Sequence, residues 1–229
     1  MTTDRGEPPA RGAQRMAVLE RVADAVPRLT GRRVRVAVDG VDGAGKTWFA
    51  DDVARVLTRR GFAVQRLSID DFLSPTIVRY ARGRRSPEGY WLDSHDLPRF
   101  VRAVTTEPPS APSDSASPDG GPSGDGPSEV APAEGAVLVA DGIFLHRGEL
   151  QDLWDLTVFL EVPFDVAFAR MARRDGRSPD PAAKENVRYC EGQRLYLAER
   201  DPASRAHLVV DNTDFSSPTL LRRRLPSDA

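Results

Sequence analysis

Eight consecutive residues, Gly40-Val41-Asp42-Gly43-Ala44-Gly45-Lys46-Thr47, satisfy the pattern G-x-x-x-x-G-K-[ST] in full, and no other stretch constrains the fold as much. Each position answers a physical need. The glycines permit backbone angles that turn successive N–H groups inward around a phosphate. Lys46 has the reach for the β- and γ-phosphates of a nucleoside triphosphate, and the Thr47 hydroxyl is a ligand for Mg²⁺. A helix that starts at Lys46 aims the positive end of its dipole at the same anion. The nucleotide-binding set therefore runs from Gly40 to Thr47 and takes in the adjoining Trp48. The plainer reading is an ordinary glycine-rich turn between a strand and a helix, so the setting of the motif matters.

That setting is the expected one. Val34, Val36 and Val38 alternate in a β-branched run that predicts a strand ending at Asp39, and a helix over 46–60 follows, closed by Gly61. Further strands are expected at 62–69, 136–140, 156–162 and 207–210. Helices are expected at 15–26, from Pro163 to about residue 174, and over 182–199. Strands separated by helices imply a three-layer α/β domain of the P-loop NTPase type with a mostly parallel, five-stranded sheet. Residues 1–14 are polar and read as a disordered N-terminus. A single domain over 15–229 is then interrupted at 105–135 by a segment rich in Pro, Ser, Gly and Ala, which reads as a disordered insertion.

Composition removes several classes of function. The 229-residue chain has a formal net charge of −2, which gives no reason to expect nucleic acid or an acidic membrane as partner. Its longest apolar runs are strand-sized, too short to span a bilayer. The first residues have no apolar core of a secretory signal, and the lone Cys190 excludes an internal disulfide framework. A cytoplasmic location is the expectation, and the oligomeric state is left open. Of 32 basic residues only Lys46 and Lys184 are lysine, so the P-loop lysine stands out against an arginine-rich background.

Three further groups bear on chemistry. Asp141 follows the apolar run AVLVA, where an acid that serves the metal belongs, although it could equally close an Asx turn. Ile69-Asp70-Asp71-Phe72 follows the second strand. Asp70 suits a base for an attacking hydroxyl, whereas Asp71 suits a helix cap. Arg170, Arg173, Arg174 and Arg177 recur at helical spacing and fit charge neutralisation beside a phosphate, or simply a solvated basic face. His95 and His146 have no metal-ligand spacing and read as surface or packing residues.

With these residues in place, the chain resembles the uridine kinase family of P-loop kinases. The resemblance lies in VAVDGVDGAGKTWFADDVA, SIDDFLSP, SPEGYWLDSHDL, VLVADGIFLHRGELQDLWDLTVFLEVPFDVAFARMARRD, RYCEGQRLY and VVDNTD. It implies an ATP- and Mg²⁺-dependent kinase acting on a small-molecule hydroxyl, most simply a nucleoside 5′-hydroxyl. It also implies that Asp70 faces that hydroxyl and helps hold Mg²⁺, while Asp93 and Asp96 bind the acceptor. Asp141 stands where the family commonly has a glutamate. Arg170 and Arg174 match arginines that close over the phosphates, and Asn212 and Asp214 match a loop beside the adenine. Family members insert a base-reading hairpin between the DSHD and ADG segments. Here residues 105–135 contain no Tyr, Phe, Trp or His. The acceptor therefore stays open among a nucleoside, pantothenate, nicotinamide riboside or a sugar phosphate, and a non-catalytic ATP-binding relative is a further alternative. A GTPase switch would carry an Asn-Lys-x-Asp segment, and neither lysine occurs in one.

Overall fold

The computed structural model describes residues 12–28, 32–106 and 135–224. Helix α1 (Ala13–Asp24) leads into strand β1 (Val34–Gly40), helix α2 (Lys46–Arg59) and strand β2 (Ala63–Ser68). A 3₁₀ turn over Ile69–Phe72 follows, then the short α3 (Thr76–Arg79), α4 (Pro87–Asp93) and α5 (Leu97–Thr105). Strands β3 (Ala136–Asp141) and β4 (Leu156–Glu161) precede α6 (Phe164–Asp175), α7 (Val187–Arg200) and α8 (Pro202–Arg205). Strands β5 (Leu208–Asp211) and β6 (Thr219–Arg223) complete the described chain. Among the described residues no helix is long and apolar enough to cross a membrane.

The sheet order is β2-β3-β1-β4-β5-β6, with β6 antiparallel to β5 and every other pairing parallel. Six strands therefore replace the expected five. The extra one, β6, has the sequence TLLRR, in which Leu220 turns inward while Thr219, Leu221 and Arg223 are exposed. A five-residue edge strand with one half-buried leucine carries too little alternation to stand out.

Side-chain alternation along the strands builds the two outer layers. Val36, Val38, Val137, Val139, Val158 and Leu160 face α1 and α2, where they meet Leu19, Val22, Phe49, Val53 and Leu57. Ala37, Leu138 and Ala140 face the other way, onto Ile69, Phe72, Phe100, Val104, Leu145 and Trp154. Strands buried on both faces read as continuous apolar runs, which is why β3 and β4 were legible.

Element ends differ from expectation for local reasons. Helix α1 begins at Ala13, so Ala13 and Gln14 belong to it rather than to a disordered tail. Residues 1–11, like most of the expected insertion at 105–135, lie outside the described residues, while Thr105 closes α5. Helix α7 starts at Val187 and not near 182. The Asn186 side-chain amide donates to the Ser178 and Asp180 carbonyls, holding 178–186 as a loop across the helix entrance. Gly192 then lets α7 approach α4, since a Cβ there would lie 2.8 Å from both the Pro87 carbonyl oxygen and Tyr90 Cδ1.

Candidate active site

Register brings the functional strand ends level. Val38 of β1 and Ser68 of β2 both pair with Asp141 of β3, so the loops that leave the carboxyl ends of three adjacent strands open on one side of the sheet. The P-loop springs from β1. Gly43 and Gly45 adopt φ of +77° and +85°, in the region that disfavours side chains. Space forbids one as well: a Cβ on Gly43 would sit 2.3 Å from the Ala167 carbonyl oxygen, and one on Gly45 would sit 2.3 Å from the Phe215 ring.

Lys46 is buried, and its Nζ donates to the Val41 carbonyl at 2.9 Å, curled back over the loop it belongs to. Asp42 ties the loop to two helices. Its backbone N–H donates to Gln193 Oε1 of α7 at 2.7 Å, and its carboxylate accepts from the Tyr90 hydroxyl of α4 at 2.6 Å. Burial, followed by the charge of Asp42, pushes the Tyr90 phenol well above its ordinary range, so it acts as a donor.

Thr47 and Asp141, each expected to serve a metal, touch one another. Thr47 Oγ1 donates to Asp141 Oδ2 at 2.7 Å, and Asp141 is almost fully buried. Arg66 of β2 is an unanticipated neighbour, bridging Asp141 Oδ1 at 2.7 Å and Asp51 Oδ1 at 3.0 Å. A hydroxyl and a carboxylate are hard oxygen donors that suit Mg²⁺. Among the described residues no cluster of three His, Cys, Asp or Glu side chains could hold an ion without outside ligands. The Thr47 hydroxyl and the Asp141 carboxylate fit Mg²⁺ as two of its ligands. A cavity of about 820 Å³ opens beside this pair, and Trp48, Asp70, Asp71 and Arg174 also line it.

Asp70 and Asp71 lie on the 3₁₀ turn, and neither is its cap. Ser68 takes that role, its Oγ accepting the Asp70 N–H at 3.4 Å, so the capping expected of Asp71 belongs to Ser68 instead. The buried His95 places Nε2 3.8 Å from Asp70 Oδ1. That contact is the largest influence on the Asp70 carboxyl, and with the charges of Lys46 and Arg174 it outweighs desolvation and holds the group below the usual carboxylate range. Sequence reading set His95 aside. What brings it here is a β-bridge between Leu73 and His95, flanked by backbone bonds from Ser74 to Ser94 and from Asp96 to Phe72. Nothing in local spacing encodes that approach.

Other expected residues separate into distinct places. Asp93 pairs with Arg82 at 2.9 Å, and Asp96 caps α5 by accepting the Arg99 N–H at 3.0 Å. Neither lines the cavities that touch Asp70. Arg170 stacks 3.6 Å from the Phe215 ring centroid and donates to the carbonyls of Gly43, Asn212 and Thr213, so it fastens the P-loop to the 212–215 loop. Arg174 and Arg177 do line the main cavity, and Arg174 is held there by Asp175 at 2.7 Å. Asn212 Nδ2 donates to the Ala44 carbonyl at 2.7 Å, while its buried Oδ1 has no protein partner. Asp214 accepts from Ser216 and orders the same loop.

Beneath the P-loop lies a buried network. Asp39 Oδ1 accepts the Gly40 N–H at 2.7 Å, and Oδ2 accepts the Tyr196 hydroxyl, the His146 N–H at 3.1 Å and His146 Nδ1 at 2.7 Å. His146 is thus the packing residue of the two alternatives, a buried partner of the loop's first turn. The available signal was an aspartate near the end of a valine-rich strand.

No family model matches the chain. Solved structures with the same architecture include a Bacillus stearothermophilus protein described as a possible uridine kinase. It aligns at a TM-score of 0.57 with 18% identity, over 85% of this chain and 97% of that one. A Silicibacter protein designated a fructose transport system kinase aligns at a TM-score of 0.58 with 21% identity, over 80% of this chain and 94% of the other. Fold and site together define a P-loop nucleotide-binding architecture. More narrowly, the fold is the one that these two solved structures share.

Proposed function

We propose that this protein is a kinase that transfers the γ-phosphoryl group of ATP to the hydroxyl of a small molecule. The observation that carries the proposal is the placement of Thr47, Asp141 and Asp70 around one cavity at the mouth of a complete P-loop. In the transfer, the acceptor oxygen forms a bond to Pγ as the bond from Pγ to the bridging oxygen breaks, and ADP leaves. Asp70 takes the hydroxyl proton. The loop N–H groups and Lys46 hold the phosphates, and Arg174 offsets charge on the transferring group. Thr47 and Asp141 would hold Mg²⁺, which would supply electrostatic stabilisation of the transferring group. Arg170, engaged with three backbone carbonyls, shapes the nucleotide site and does not reach into the cavity.

The resemblance, and the description of the Bacillus neighbour as a possible uridine kinase, favour a nucleoside as acceptor; its 5′-hydroxyl as the site of transfer, ATP as donor and a cytoplasmic setting belong to the same proposal. A different metabolite alcohol is the second reading, favoured by the absence of aromatic or histidine residues from 105–135. The test is ADP release in the presence of Mg²⁺ and a panel of nucleosides, vitamin precursors and sugar derivatives, with product identified by mass spectrometry. Phosphorylation of any alcohol above the water-driven background supports the reading. ATP binding with no transfer to any acceptor in the panel counts against it.

A further inference from the structure

The wall of the cleft beyond Asp70 carries charge that phosphotransfer alone does not use. A cavity of about 180 Å³ opens beside Asp70 and His95, and Arg79 and Tyr90 also line it. It adjoins an outer basin of about 420 Å³, and the two share Tyr80, Arg188 and Tyr189. The rest of the basin's lining is Arg84, Arg85, Lys184 and Glu185. Five cationic side chains thus stand against two carboxylates, Asp70 and Glu185.

The arrangement is built, not a casual surface cluster. Arg188 is buried on α7 and donates to the carbonyls of Arg79, Ser86 and Gly83, which pins the turn that carries Arg84 and Arg85. Three guanidinium carbons converge on one ring: those of Arg188, Arg84 and Arg79 lie 4.8, 5.4 and 5.7 Å from the Tyr80 centroid. None of these arginines, nor Arg85 or Lys184, makes an ion pair with a described carboxylate. Other exposed arginines do: Arg82 pairs with Asp93, Arg174 with Asp175 and Arg194 with Glu191. Glu185 is partly engaged, accepting the Ser178 N–H at 2.7 Å. Like charges gathered without a counterion repel one another, and an anion in the basin relieves that repulsion. Arginine is suited to phosphate and carboxylate in particular. At the inner end, His95 is buried, and its Nδ1 has no partner.

We propose that the acceptor is an anionic alcohol, which selects the second reading above, a metabolite other than a neutral nucleoside. Its hydroxyl enters the inner cavity beside Asp70, and its phosphate or carboxylate group lies in the outer basin against Arg84, Arg85 and Lys184. This assignment rests on the kinase reading for the hydroxyl, but the anion site stands on its own geometry.

The test uses matched probes: ribose, ribose 5-phosphate and ribonate, with uridine as a larger neutral alcohol. The charged members are expected to be turned over with a kcat/KM at least about tenfold above ribose and uridine, and the phosphate-to-carboxylate ratio identifies the group. Replacing Arg84 and Arg85 together by Ala is expected to raise KM for the charged acceptor at least about tenfold, with kcat and the KM for ATP within about twofold. Replacement by Lys should restore part of the loss. Calorimetry with a non-hydrolysable ATP analogue filling the P-loop separates the two proposals. Binding of a charged probe that the double variant loses, without turnover of anything, would sink the kinase reading and leave the anion site standing. Equal or tighter handling of the neutral probes, no binding of either charged probe, or a double variant with unchanged KM and affinity would overturn the proposal.

Discussion

His95 Nε2 stands 3.8 Å from Asp70 Oδ1, a buried imidazole set against a carboxylate that faces the cleft. The contact joins two segments brought together by the bridge between Leu73 and His95 and by the backbone bonds on either side of it. It also sets the sign of a pH dependence. Because the Asp70 carboxyl is held below its ordinary range, it stays ionised, and able to accept a proton, at pH values where a free aspartate (pKa about 3.9) is already protonated. The acid limb of kcat against pH is expected to lie below that of an unperturbed aspartate. His95→Gln removes the largest lowering influence and should move the limb upward. A limb that stays in place in the variant would detach His95 from the chemistry.

Lys46→Ala is expected to lower kcat by about a hundredfold or more, the scale usual for removing one preorganised charge-stabilising donor. Its Nζ bonds only to the Val41 carbonyl, within its own loop, so the fold should survive. Far-UV circular dichroism and ADP release on the same preparation check both halves. Near-normal turnover would remove the P-loop from the mechanism.

The Asp39 network predicts a stability effect with a defined order. Asp39→Asn puts a donor amide among the Gly40, His146 and Tyr196 donors and removes a buried charge, which costs about 3 kcal/mol. Tyr196→Phe leaves the carboxylate its other partners and should cost about 1 kcal/mol. The Tyr196 phenol, pushed well above its ordinary range by burial and then by Asp39, remains a donor across the accessible pH range. Urea denaturation ranks the two variants, and the reverse order would mean that the network is not centred on Asp39.

Those networks mark where the sequence stops being readable. Strands β1, β3 and β4, the P-loop and helix α2 were legible because each rests on local periodicity or on a motif with fixed spacing. Thr47 and Asp141 were each singled out beside such features, but the bond between them is supplied by the fold. His95 beside Asp70, Arg66 on Asp141 and Tyr196 on Asp39 join residues 25, 75 and 157 positions apart, and only the completed fold supplies that proximity. The arginines of α6 show the same limit. Their spacing placed them on one helix, but whether each reached the cleft or a backbone carbonyl depended on the 212–215 loop.

Asp70→Asn is expected to lower kcat by at least about a hundredfold, the scale of a lost acid–base group, with the KM for ATP little changed. Asparagine keeps the size of the side chain and removes its charge. A purely structural role would leave turnover intact, because the 3₁₀ turn is capped by Ser68 and not by Asp70. Asp71 is the rival base, since it lines the same cavity one residue on. The two differ in their neighbours: His95 lies against Asp70, and the charges of Lys46 and Arg174 act on it as well. Asp71→Asn should therefore have a small effect. A single-turnover measurement of both variants at saturating ATP separates chemistry from product release. If Asp71→Asn proves the more damaging substitution, the proton goes to Asp71 and the His95 contact only orients the turn. If neither variant slows the chemical step, no carboxylate on this turn accepts the proton, and the acceptor hydroxyl must be activated from another wall of the cleft.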